Sequence, residues 1–476
     1  MIGKKKQQPT FFDNLLQNRL PADHPLIKIK REIDFSFIED EVRELYCEDN
    51  GRPSFPPELL FKILFLEYYY NLSDVEISQE IQWNGLYQYF LDIGIEDKVP
   101  DDTTLSVFRS RLKDDKFEKI FNRIIKGCQE KNLLGNKLKI VDATHVIADI
   151  AIPNTVNLLR QGRRVIIKEI EKEIKKGTQT GKKQKEKVKP DEMRKKYWKE
   201  GKIYKKPEVK DLKEEIKISK DFVENVKGKY GAKVNKLAAE LEKVIEGKTG
   251  EEKVASFVDT DAKFGYKSPT KPFLGYKVHI AQDAESELVS TVQTLPGNKN
   301  EGSELKDLLN KEEEKEIKHE AITADGLYDS GSNREMIASK GMEAYISSRK
   351  KEKKIDEKNF KYNVEKDNVV CRRGYSSENK TRQEEGTLHI FPKKTCKNCC
   401  FSKECPPKNQ GRVRVFVSDS YKLKVKVDPE KRKQGLKERK GIERKFGEGK
   451  KWHNLGRARY RGKWRVAIQA LMLSLI

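Results

Sequence analysis

Glu443 stands in a run crowded with cations, ERKGIERKFGEGKKWHNLGRARYRG when read from Glu438. Arg439 precedes it by four positions and Lys450 follows it by seven, so a helix would carry all three on roughly one face, two turns long. A carboxylate held beside Lys and Arg suits a metal ion that meets phosphate. A solvated basic helix with ordinary ion pairs would give the same local pattern, so the reading turns on two upstream aspartates. Asp142 lies near the middle of a β-branched run, NKLKIVDATHVIADI, and Asp325 follows the buried-strand pattern of Ala321 to Ala324. Phosphodiester chemistry needs such a cluster: two divalent cations must be held close together, one activating water or a 3′-hydroxyl, the other stabilising the leaving oxygen. Mg²⁺ takes oxygen ligands and keeps several waters, so three carboxylates suffice. An Asp at a strand end more often forms a turn or caps a helix, and it is the combination that points to chemistry. Asp149, Asp259, Asp261 and Asp329 are nearby rivals, read here as supporting or structural. His145 and His453 are candidates for metal or phosphate contacts, or for structural roles.

The elements that would position these residues follow from periodicity. PPELLFKILFLEYYYNLSDVEISQEI reads as helices, with Pro in a first turn and Ser73 and Glu76 spaced as a capping box. Another helix is expected to open at Asp102 and Thr103 with Leu105, Phe108 and Leu112. Such a helical unit could present a helix-turn-helix, with Arg109 and Arg111 reaching DNA, or could simply pack or dimerise. Strands are expected at Lys253 to Val258, at 276–283 and 287–297 as a hairpin, at Ala321 to Ala324 and at 343–348, with a helix over Gly302 to Leu309. The apolar run WRVAIQALMLSLI, which includes Trp464, is expected to close the unit as a final helix, while Trp452 is a candidate for base stacking.

Between Arg160 and Lys253 stand 30 Lys and Arg against 18 Asp and Glu, so about half the net charge sits in about a fifth of the chain. This stretch reads as an insertion. Val234, Leu237, Leu241, Val244 and Ile245 make one helical stripe, and Leu212, Ile216, Phe222 and Val223 make another, as in an antiparallel hairpin of two or three helices. The Gly and Lys run from Lys175 to Lys189 reads as a charged tip or linker.

Over 476 residues, 99 Lys and Arg against 76 Asp and Glu give a formal charge of +23. That surplus favours a nucleic-acid partner, because neutralised phosphates release condensed counterions. It indicates a partner class and no chemistry. No apolar run reaches the roughly 20 residues needed to span a bilayer, and the first residues lack a secretory apolar core. A cytoplasmic, nucleoid-associated protein is expected. Four of seven cysteines crowd into Cys396, Cys399, Cys400 and Cys405. Cys371, Cys396, Cys399 and Cys405 have a paired, zinc-ribbon-like distribution around a CxxC, which fits either a structural Zn²⁺ or unbound thiols, with Cys400 a competing ligand.

DATHVIADI, LPGNKNEGSEL, ADGLYDS and the Glu443 run resemble, in that order, the catalytic blocks of DDE transposases encoded by bacterial insertion sequences. The N-terminal helical stretch is similar to the domain that precedes them. The resemblance covers about residues 10 to 475, least well in the basic insertion. It implies an α/β RNase H-like catalytic core, a mixed sheet with flanking helices, preceded by an all-α N-terminal domain and interrupted by the basic helical insertion. The expected units are 1–130, helical, for DNA binding or dimerisation; 136–155 and 253–350, the core; 156–252, the insertion; 351–430, a Cys-containing loop; and 431–476, the C-terminal catalytic helices. It assigns Asp142, Asp325 and Glu443 as catalytic metal ligands for Mg²⁺ or Mn²⁺. The family's glutamate motif of Tyr, Arg, Glu and Lys is met by Arg439, Glu443 and Lys450, while Leu436 replaces the Tyr. Arg439 and Lys450 are expected to hold DNA phosphates, with Arg457, Arg459 and Arg461 extending the track.

The implied activity is binding of element terminal repeats, hydrolytic cleavage and transfer of the 3′-hydroxyl end to target double-stranded DNA, by at least a homodimer. A catalytically inactive DNA-binding relic or repressor is the alternative. Leu436 favours it and the three retained carboxylates oppose it. A nuclease unable to join strands is a third reading.

Overall fold

In this computed structural model the described residues are 1–3, 19–94, 96–179, 190–198, 208–268, 270–347, 355–384, 386–397, 399–401, 404–405 and 412–476. The N-terminal helices are α1 (Pro25–Glu32), α2 (Phe37–Val42), α3 (Pro57–Tyr69), α4 (Asp74–Trp83), α5 (Gly85–Leu91) and α6 (Asp102–Glu130). The capping box at α4 forms: Ser73 N–H donates to Glu76 at 2.8 Å and Glu76 N–H to Ser73 Oγ at 3.2 Å. Asp101 caps α6 by accepting the Thr104 N–H at 2.7 Å. Helix α3 is apolar nearly all round because it is buried along nearly its whole length.

The β-branched run around Asp142 forms β1 (Leu138–Ile147), inside a six-stranded mixed sheet. Strands β2 (Lys263–Ser268) and β4 (Val289–Pro296) pair antiparallel with β3 (Lys271–Asp283), which pairs antiparallel with β1. On its other edge β1 is parallel to β5 (Ala321–Ala324), and β5 is parallel to β6 (Glu343–Ile346). Alternation along β1 sends neighbouring side chains into different cores. Val141 joins Ile322, Ala324, Leu308 and Ile337 beneath α11 (Leu305–Glu313) and α12 (Gly331–Ser339). Ile140 faces the opposite side, where Val278, Ile280 and Val292 meet α16 (Lys440–Trp452) and α17 (Lys463–Ser474). That second core is continuous with the N-terminal helices, since α17 packs against α3, α6 and β4.

Between β1 and β2 run α7 (Thr155–Gln179), α8 (Pro190–Tyr197), α9 (Val209–Val226) and α10 (Ala232–Ile245), with a core of their own that includes Ile166, Ile170, Phe222, Val234 and Leu241. The expected tip or linker, Lys175 to Lys189, lies mostly outside the described residues. The strand expected at Lys253 to Val258 does not form. Its apolar residues are used differently: Val254 and Phe257 are buried in the helical core, and Phe257 N–H donates to Gln161 Oε1 at 3.0 Å.

After β6 come a hairpin, β7 (Phe360–Asn363) with β8 (Asn368–Cys371), and a three-stranded antiparallel sheet of β9 (Asn379–Gln383), β10 (Gly386–Ile390) and β11 (Arg414–Ser418), with the short helix α13 (Lys393–Lys397) between the last two strands. Helices α14 (Asp419–Lys426) and α15 (Pro429–Glu438) then return the chain to the main sheet. At Gly435 an added Cβ would stand 2.3 Å from Tyr345 Cδ2, so only Gly lets α15 lie this close to β6.

Candidate active site

Strand register brings the two aspartates together. Ile140 lies opposite Thr323 across the parallel β1–β5 pair. Asp142 follows two residues on along β1 and Asp325 just past the end of β5, near enough for the charge of Asp325 to act on the Asp142 carboxyl. Asp325 begins the turn after β5, its carboxylate accepting the Leu327 N–H at 2.7 Å. Helix α16 crosses this face with Gly441 over Ile140 and with Ile442 and Phe446 buried beneath it. Glu443 is then carried beside the strand ends. One guanidinium joins the parts: Arg439 donates to Asp142 Oδ2 at 3.3 Å and to Glu443 Oε1 at 2.8 Å.

Charge is concentrated here. Burial pushes the Asp142 carboxyl up to about 6, and the negative charges of Asp325 and Glu443 add to the shift, against the Ala143 N–H and Arg439, which favour the ionised form. Tyr328, buried behind the aspartates, has its phenol held well above the usual range by burial and by the charge of Asp142. At the far end of β1, burial and the neighbouring Lys450, Lys267 and Lys277 press His145 down to about 4, so the ring is neutral near pH 7. Burial and Lys267 likewise lower Lys450, while the Asp142 charge pulls the other way. A cationic shelf thus adjoins the carboxylates.

Among the described residues, no three His, Cys, Asp or Glu side chains stand close enough to grip a metal ion without movement. The oxygen donors of Asp142, Asp325 and Glu443 nevertheless suit a hard divalent cation, and their mutual repulsion is relieved here by Arg439.

Arg459, expected on DNA, and Arg109, which one of two readings placed there, are both turned inward. Arg459 donates to Leu72 O at 2.8 Å, Asn71 Oδ1 at 2.6 Å and Glu67 Oε1 at 3.2 Å, and stacks on Tyr68. Arg109 is buried, paired with Glu67 and Asp74 and stacked on Tyr460. Both are spent on joining the N-terminal helices to the segment before α17. Arg457 and Arg461 remain exposed, holding Asp149 through its carboxylate at 2.7 Å and its carbonyl at 3.3 Å. Arg111 is exposed and stacked on Tyr46.

The rival aspartates have structural partners. Asp259 accepts from Tyr276 and Gly462, Asp261 from Lys463, and Asp329 pairs with buried Arg334. His453 lies near the Tyr68 carbonyl, at 3.3 Å, and against Tyr69. Trp452 is exposed, and Trp464 packs partly on the core. Sequence reasoning missed the bridge from Arg439 to Asp142, which joins positions 297 residues apart. It also missed Tyr328, which the ADGLYDS block contains.

Residues 14–111 match the transposase domain family DUF772, and residues 245–476 match the transposase DDE domain family. The chain belongs to the DDE transposases. Asp325 and Glu443 fall within the DDE match, and Asp142 lies between the two matched stretches. The transposase is therefore a metal-dependent enzyme of DNA transposition, and the match over its DDE domain favours that activity over an inactive relic. A cryo-EM structure of a piggyBac transposase synaptic complex with hairpin DNA overlaps 94% of this chain and 70% of that one, at 11% identity and a TM-score of 0.30. No helix among the described residues is long and apolar enough to cross a membrane.

Proposed function

We propose that Asp142, Asp325 and Glu443 are the catalytic metal ligands of this transposase, in a core of the RNase H-like class interrupted by the basic helical segment between β1 and β2. The observation that carries this reading is the placement of Asp142 on β1 and of Asp325 just past the end of the neighbouring parallel strand β5, with Arg439 tying Asp142 to Glu443. Bound Mg²⁺ or Mn²⁺ would activate the attacking hydroxyl and stabilise the leaving oxygen. The chain's part is positional and electrostatic. The sheet fixes the aspartates, α16 delivers Glu443, and Arg439 and Lys450 offer cations to the phosphates that flank the scissile bond. Arg457 and Arg461 extend that track. The substrates are the element's terminal repeats and target double-stranded DNA. The freed 3′-hydroxyl is joined to the target, and work on two ends calls for at least a homodimer.

The test is cleavage and joining of labelled element ends by the purified chain with Mg²⁺ or EDTA, beside Asp142→Asn, Asp325→Asn and Glu443→Gln. The wild type with metal should cut and join, and each variant should lose at least about a hundredfold in rate. Equal cutting by any variant removes that residue from the site. Cutting without joining makes the protein a nuclease.

A further inference from the structure

We infer that Cys371, Cys396, Cys399 and Cys405 form a tetrathiolate site for a structural Zn²⁺ ion, outside the catalytic centre. The four come from separate places: the end of β8, helix α13, position 399 beyond it, and residues 404–405. All four nevertheless line one cavity of about 30 Å³, walled by Phe360, Phe391 and Val413. The spacing of Cys396 and Cys399 is that of a CxxC zinc half-site. Cys400, the rival in sequence, is exposed and does not line the cavity.

The residues beside the thiols hold the segments together. Arg372, next to Cys371, pairs with Glu404, next to Cys405, at 3.1 Å, and Asn359 donates to the Glu404 carbonyl at 3.0 Å. The sulfurs line the cavity without meeting, so ligation requires them to turn inward on the ion and release their protons.

Such an ion has structural work to do. The unit around the cavity has a small core, from Ile355 and Phe360 to Val417 and Tyr421, the size of core that small folds commonly reinforce with a metal. Tyr421 belongs to α14, which leads through α15 to Arg439 and Glu443. Zinc would therefore anchor the start of the path that delivers the glutamate.

The full chain should be purified after expression with added zinc and its metal content measured. About one zinc per chain is expected, retained in Cys400→Ser and lost in Cys396→Ser and Cys405→Ser, with Co²⁺ exchange giving a thiolate charge-transfer band. Should those variants aggregate, alkylation of the wild type decides. Zinc should shield the four thiols and a chelator should free them, while Cys47 and Cys400 react throughout. A wild type that holds no stoichiometric zinc, or whose four thiols react equally fast with and without it, overturns the inference.

Discussion

Arg439 reaches two carboxylates from the turn before α16, and its guanidinium supplies positive charge that Asp142 and Glu443 share. Its neighbour Asp142 gives the cluster a pH signature. A carboxyl shifted from 3.8 to about 6 in the folded chain favours folding in its protonated form. That contribution is fully present below 3.8 and is lost as pH rises through about 6, where the ionised carboxylate becomes available to a cation. Thermal unfolding with and without Mn²⁺ should therefore show a Tm gain that is small near pH 5 and grows toward about pH 7. Asp142→Asn should flatten that dependence. A gain independent of pH in the wild type would mean that Asp142 does not face the ion.

At the scale of elements, β1 is held from both sides. On the face away from Arg439, the buried Lys139 ammonium pairs with buried Glu312 of α11, which also accepts from Ser290 and Thr291. Glu312→Ala would remove the partner of Lys139, whose amine burial and the charges of Lys315 and Lys340 already press down to about 7, so that it sheds its proton instead of standing charged between β1 and α11, at a cost of about 1–3 kcal/mol. Denaturant unfolding should show that loss. An unchanged midpoint would mean that the pair is dispensable for holding β1. Much of this framework was legible beforehand. The β-branched runs around Asp142 and before Asp325, the Ser73 and Glu76 capping box, the final helix and the helical stripes of α9 and α10 all carry local signals. Lys253 to Val258 misled, because an apolar run does not say whether it will be buried in a sheet or, as here, beside a helical bundle. Arg109 and Arg459 misled for a related reason. Charge pattern reveals cations but not the distant carboxylate, Glu67, that turns both inward.

For the whole molecule, the network around Glu67 and the continuous core between α3, α6 and α17 make the N-terminal helices part of the body that carries the site. The helices between β1 and β2 have a separate core, and the stretch from Arg160 to Lys253 that holds them carries 30 Lys and Arg against 18 Asp and Glu. The proposed site draws one residue from each of three distant stretches, Asp142, Asp325 and Glu443, so its integrity tests the fold and the chemistry together. The most direct measurement is iron-directed self-cleavage: Fe²⁺ with ascorbate and peroxide, followed by mapping of the cut peptides. Backbone cuts are expected near Asp142, Asp325 and Glu443, competed away by Mg²⁺ and abolished in Asp142→Asn. Cuts confined to other stretches, or unaffected by Mg²⁺ and by Asp142→Asn, would contradict this assignment.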